Sequence, residues 1–282
     1  MIDKSYWTAL RERDFAFPRD TATAALVHAL KEALASPDPE LRDALAYSAA
    51  ATWIGAGELD SALEALGDAM AERLATHPEV QARTFAPLVL DSILERTTAA
   101  PPGLVRPAAV DRWYRAFADW YAAERETEGW SDSLGWLHAV AHGADAAAAF
   151  GGHPDCSPAR REELLALCAR RMTADDDRCS YAQSEDARLA RAITVVLLRP
   201  GLTAEAAVSW LDIVEGALAA PRTGRPAQRY FNTLATLQSV HLHLAVGLAG
   251  GGLPPHAEPV RLRVLEVLRG RLGWLGRGAA TG

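Results

Sequence analysis

Lysine is almost missing from this chain of 282 residues: Lys4 and Lys31 are the only two, and arginine supplies the rest of the positive charge. Carboxylates outnumber basic side chains, for a net charge of −7. Phosphate backbones are held by clustered Lys and Arg, so this balance argues against a general nucleic-acid partner. Long apolar runs are absent too, and each falls far short of the ~20 residues a membrane helix needs. The opening stretch MIDKSYWTALRERDF is charged and has no apolar signal core. The expectation is a cytoplasmic protein with no membrane partner. Cysteine is scarce: Cys156, Cys168 and Cys179 form no C-x-x-C pair, so reduced thiols are the simplest reading. There is no phosphate loop, no dinucleotide fingerprint, no G-x-S-x-G and no H-E-x-x-H. Nothing in the sequence calls for a cofactor.

Alternating β-branched runs are also missing, while Ala, Leu, Arg and Glu dominate. The periodicity predicts helices over 4–13, 20–35, 39–53, 59–74, 80–94, 108–125, 135–150, 158–172, 185–198, 203–219, 226–248 and 259–275. Breakers separate them: Pro18, the Ser36–Pro39 start signal, Gly55 and Gly57, and the linker-like 97–107. Further loops are expected over 173–184, 221–226 and 249–255. Short loops favour antiparallel neighbours, and helix pairs recur every ~35–45 residues, the size of helical-repeat units. The expected fold is all-α: a HEAT- or armadillo-like right-handed α-solenoid of antiparallel helix pairs, with a compact α-bundle as the alternative. A single domain over 1–275 and a frayed tail over 276–282 complete that expectation.

The stretch 135–150, GWLHAVAHGADAAAAF, is the most informative. Read as one helix, capped by Ser131 or Ser133, it is apolar on nearly every side except for a stripe of His138, His142 and Asp145. Buried polar groups need partners, so the stripe either satisfies itself and its neighbours or faces something polar. His138 and Asp145 are seven residues apart, ~10 Å of helix rise, so one metal ion does not take all three. A metal would need carboxylates from elsewhere to complete its shell. Without a metal, Asp145 orients His142, and the two histidines are the acid–base candidates. The bland alternative is a polar ladder that locks helix register.

Other residues are weighed beside it. Asp43 and Tyr47 are four apart and share a face after Arg42, and Trp136 begins the central stretch. Arg83 is a possible anion contact or a surface residue. Glu185 and Asp186 suit a helix start, where a carboxylate meets the dipole; the functional alternative is that one reaches the His stripe. His241 and His243 are two apart and diverge on a helix. Trp113, Tyr114, Phe117, Trp120 and Tyr121 read as an inter-helix packing face.

Four stretches carry a family resemblance: LRDALAYSAAATWI at 41–54, RTFAPLVL at 83–90, GWLHAVAHGAD at 135–145 and EDARLARAI at 185–193. With these the chain resembles a bacterial family, domain of unknown function 2785, over roughly 41–230. The resemblance implies an armadillo-type helical fold and names no reaction. The sequence departs from the family pattern at Glu128 and Leu134, where a basic residue and a glycine-rich lysine turn precede the tryptophan. If the family holds an anion there, this chain has lost that capacity or changed its ligand.

The leading functional expectation is one polar pocket on the central helix binding a small molecule or peptide. Its catalytic candidates are His138, His142 and Asp145; its ligand-binding candidates are Tyr47, Asp43, Arg83, Trp136, Glu185 and Asp186. A non-catalytic scaffold for a protein partner and a metal-dependent hydrolase are the alternatives.

Overall fold

The computed structural model describes residues 2–174, 179–219, 226–273 and 275. The chain is all-α apart from one small ribbon. The described residues form twelve α-helices: α1 (Lys4–Arg11), α2 (Thr23–Ala33), α3 (Ser48–Gly55), α4 (Leu63–Thr76), α5 (Val80–Ala99), α6 (Pro107–Ala123), α7 (Ala139–Gly152), α8 (Pro158–Met172), α9 (Glu185–Leu198), α10 (Ala204–Ala219), α11 (Gln228–Val246) and α12 (Ala257–Arg271). A π-helical segment, Glu40–Tyr47, runs directly into α3. No helix among the described residues is long and apolar enough to cross a membrane.

Two compact units divide the chain at Asp155 and Cys156. In the first, α5 is the hub, packing on α7, α4 and α3, while α4 also meets α6 and the π-helical segment meets α1 and α2. In the second, α11 packs on α9 and α12, and α8 on α10 and α9. The expected loop over 221–226 and acidic turn over 173–184 fall partly outside the described residues, and the tail over 276–282 wholly outside them.

Four expectations are corrected. The central helix starts at Ala139, not at residue 135. Gly135 and His138 both have left-handed backbones, φ 69° and 46°, which a right-handed helix does not accommodate. Residues before the helix instead form a two-stranded antiparallel ribbon, β1 (Trp130–Ser131) and β2 (Gly135–Trp136), where no strand was expected. The Gly129 carbonyl accepts the N–H groups of both Leu137 and His138 and fixes that exit. Ser131 accepts the Leu134 N–H within the ribbon turn and does not cap α7. Helix α5 runs on to Ala99, so the linker-like stretch opens inside it. Arg96, in the added turn, makes paired hydrogen bonds to Asp60 at 2.9 and 2.7 Å, and the Thr97 hydroxyl donates to Leu94.

The aromatic face of α6 is packing, as read. Phe117 stacks on Tyr121 and Phe150, and Tyr114 meets Phe150 edge-on. The Tyr121 hydroxyl donates to the Val140 carbonyl at 2.8 Å, tying α6 to α7. Gly143 lies directly against the Tyr121 ring, so a β-carbon there would overlap it. Gly143→Ala is therefore expected to cost about 1–3 kcal/mol by overpacking. Urea denaturation checks this, with Gly55→Ala, in open space, as the control expected to change little.

Candidate functional site

The site is built where α5, α7 and the π-helical segment meet. Arg42 is fully buried there. Its guanidinium donates to the carbonyls of Ser36 at 3.1 Å, Leu134 at 2.6 Å and Trp136 at 3.2 Å. It also lies 4.6 Å over the Phe85 ring. One cation thus holds the ribbon onto the π-helical segment. Gly135 is forced at that contact: its left-handed backbone leaves room for a hydrogen only, because a β-carbon would sit 2.7 Å from Cβ of Pro39.

From this clamp a line of rings leads inward from the surface. Trp130 and Trp136 are cross-strand partners, edge to face with centroids 4.8 Å apart. Trp136 lies 4.4 Å from His138, His138 5.5 Å from His142, and His142 5.0 Å from Phe85. Phe85 in turn meets Tyr47 at 6.3 Å. His138 is half-buried and caps the start of α7 in its left-handed conformation. The two histidines stay adjacent although only His142 is inside the helix.

His142 is buried, and its Nδ1 lies 2.9 Å from the Thr84 carbonyl. A carbonyl only accepts, so Nδ1 carries a proton and directs it at Thr84. Thr84 sits three residues before Pro87, inside α5. A proline there removes one helical N–H and crowds the preceding turn, the same turn that presents Thr84 to α7. Asp145 is buried one turn along α7. Its charge reaches the Tyr47 phenol, which also faces Ser92, Asp91 and Glu95. Burial raises the Tyr47 pKa, the Ser92 hydrogen bond opposes this, and the three carboxylates add to the rise. His138, His142, Asp145, Tyr47, Asp43 and Trp136 are thus linked through the clamp, the ring contacts and this polar group.

Asp43 pairs with Arg42, Oδ1 to Nε 2.7 Å, but the two atoms are not aligned as a hydrogen bond. Burial is the larger influence and, against the pull of Arg42, pushes the Asp43 carboxyl up to about 6.

The remaining candidates lie in other surroundings. Arg83 makes a two-pronged pair with Glu124, at 2.8 and 3.2 Å, and donates to the carbonyls of His77 and Pro78. It lines a cavity of about 510 Å³ with His77, Asp119 and Trp120. Glu124 is held below the usual carboxylate range: burial pushes it up, but Arg83, the Glu126 N–H and Trp120 together prevail. Glu185 and Asp186 belong to the second unit. Glu185 is fully buried, accepts the Gln183 N–H at 2.8 Å and has its pKa raised by burial. Asp186 accepts from Ser239 at 3.3 Å. Among the described residues no three His, Cys, Asp or Glu side chains are grouped to hold a metal ion.

Sequence reasoning missed Arg42 as the organiser and Trp130 as the partner of Trp136. The signal for Arg42 is a lone cation leading an otherwise apolar run; Trp130 has none beyond its being a tryptophan in a charged stretch.

A pH dependence follows from Asp43. Its folded value lies above its ordinary 3.8. The stability it contributes is complete below about pH 4 and is lost as pH rises through about 6. The loss is on the order of 2 kcal/mol. Asp43→Asn is expected to remove this slope. Urea unfolding of both proteins between pH 4 and 7 checks it, because the difference between them cancels the opposite slopes of Asp38, Glu40 and Glu124, whose values are lowered.

A family described as "Protein of unknown function (DUF2785)" matches residues 73–242, which include α5, the ribbon and α7. No curated protein and no solved structure matches the chain.

Proposed function

The chain belongs to the DUF2785 family, and from that premise we propose that its first unit receives a small molecule or short peptide at the His138–His142 cluster, with His142 as its acid–base group. The observation that carries this is the Nδ1 bond to Thr84. It fixes the ring through Nδ1 and leaves Nε2 as the nitrogen that would exchange a proton. Two further features support the reading. His138 sits in a left-handed backbone that a non-glycine residue rarely adopts, and such strain collects at functional sites. The ring series also connects this buried base to exposed indoles. Asp145, one turn further along α7, supplies a carboxylate that acts on the Tyr47 phenol. Proton transfer on a bound organic molecule is the reaction class these groups suit. A cytoplasmic setting accords with three buried cysteines that form no disulfide.

A second reading, a scaffold for a protein partner, has one observation in its favour. Phe231, Leu242 and Val246 are exposed on α11 and, at their spacing, share one face.

His142→Asn tests the first reading, because an asparagine amide can keep a donor toward Thr84 while removing Nε2. The variant is expected to fold with unchanged circular dichroism and to lose, by at least about tenfold, binding of any metabolite or peptide that a thermal-shift screen finds for the wild type. Ligands that bind both proteins equally would move the site elsewhere.

A further inference from the structure

Trp130 and Trp136 are 47% and 41% exposed, although the other large aromatic side chains of α6 and α7 are buried. They stand on one face of a ribbon that Arg42 and Gly135 hold in place. Ordering them on binding therefore costs little, since the backbone is already fixed. Their planes meet at 80°. That makes a corner with two walls, suited to a compact rounded group, whereas a flat sugar ring stacks on a flat platform. The adjoining chain carries exposed Glu128 and Asp132 and an exposed cation, Arg125, while Glu126 acts on Arg83. Asp132 accepts from the Trp130 indole at 3.3 Å. The guanidinium that touches the ribbon, Arg42, is fully buried and has Asp43 beside it.

Aromatic faces attract cations through their quadrupole, and nearby carboxylates add to the attraction. We propose that Trp130 and Trp136 form the mouth of the site and receive an alkylammonium group of a small organic cation beside Glu128 and Asp132. This rests on the function proposed above and names the ligand class: the cationic end is held at the ribbon and the remainder extends toward His138 and His142.

The test uses the full chain, labelled with nitrogen-15, and follows the indole N–H resonances of Trp130 and Trp136. The probes are choline, its neutral isostere 3,3-dimethylbutan-1-ol, and methyl glucoside, at low salt. Choline is expected to shift both resonances and to bind at least about fivefold more tightly than the isostere. Trp130→Leu is expected to abolish the shift of Trp136, and Glu128→Gln with Asp132→Asn to weaken choline several-fold. Because Trp130 is exposed, that variant is expected to fold; an unchanged spectrum elsewhere in the chain verifies it. Equal binding of choline and the isostere, a response to the glucoside alone, or no response to choline overturns the proposal. The His142→Asn screen separates the two claims. If choline fails while screened ligands still depend on His142, the cation assignment falls and the deeper site stands. If choline binds at the indoles and no ligand depends on His142, the cation site stands and the acid–base reading falls.

Discussion

One buried guanidinium organises the first unit. Arg42 reaches backbone carbonyls that lie more than ninety residues away in sequence, as well as one six residues back, and covers the Phe85 ring. A buried charge is tolerated when its donors are satisfied. Here carbonyl dipoles do most of that, and the neighbouring carboxylate is misaligned. Burial lowers the Arg42 pKa, and Asp43 opposes the shift, so the two groups depend on each other. The ribbon, the left-handed Gly135 and the exit toward His138 all hang on this contact.

The second constraint is closeness of backbone. Gly143 lets α7 lie against the Tyr121 ring, and the Tyr121 hydroxyl then reaches Val140 on the same helix. The small residues of α7, Ala139, Ala141, Ala144 and Ala146–Ala148, are buried and leave bulk to its neighbours. That close seating puts His142 within reach of the Thr84 carbonyl on α5. Packing of small residues thus orients the His142 ring through Nδ1.

Much of this was legible in the sequence. Helix content and the packing role of α6 follow from spacing alone, and α8 and α9 have the bounds that their breakers predict; His138 and His142 are adjacent as expected, but His138 stands outside the helix that the spacing assumed. The start of the central helix was not legible. GWLHAVAHGAD carries an unbroken helical periodicity, and His138 has no side-chain property that announces a left-handed backbone. That conformation is imposed by the ribbon and by the shared Gly129 carbonyl, contacts from outside the helix. The π-helical turn at Glu40–Tyr47 is likewise set by tertiary contact, since its residues are ordinary helix formers. Glu185 was legible as a helix-start carboxylate, while its complete burial depends on the packing of the second unit.

The electrostatics follow from how the clamp is satisfied. Had Arg42 been held by several carboxylates, their charges and its own would cancel, and the ribbon would meet solvent with little field. Carbonyls hold it instead, while the carboxylates that act on its charge are Asp43, which is not aligned with it as a hydrogen bond, and Asp38. The exposed carboxylates of Glu128 and Asp132 lie outside this pair. The same ribbon thus has a cation bound on its inner side through backbone dipoles and, on its outer side, two indoles among acidic side chains. Salt screens the outer side far more than the buried one. The clamp therefore persists at ionic strengths that weaken attraction at the mouth, so holding the site together and recruiting a charged ligand to it are separable by salt.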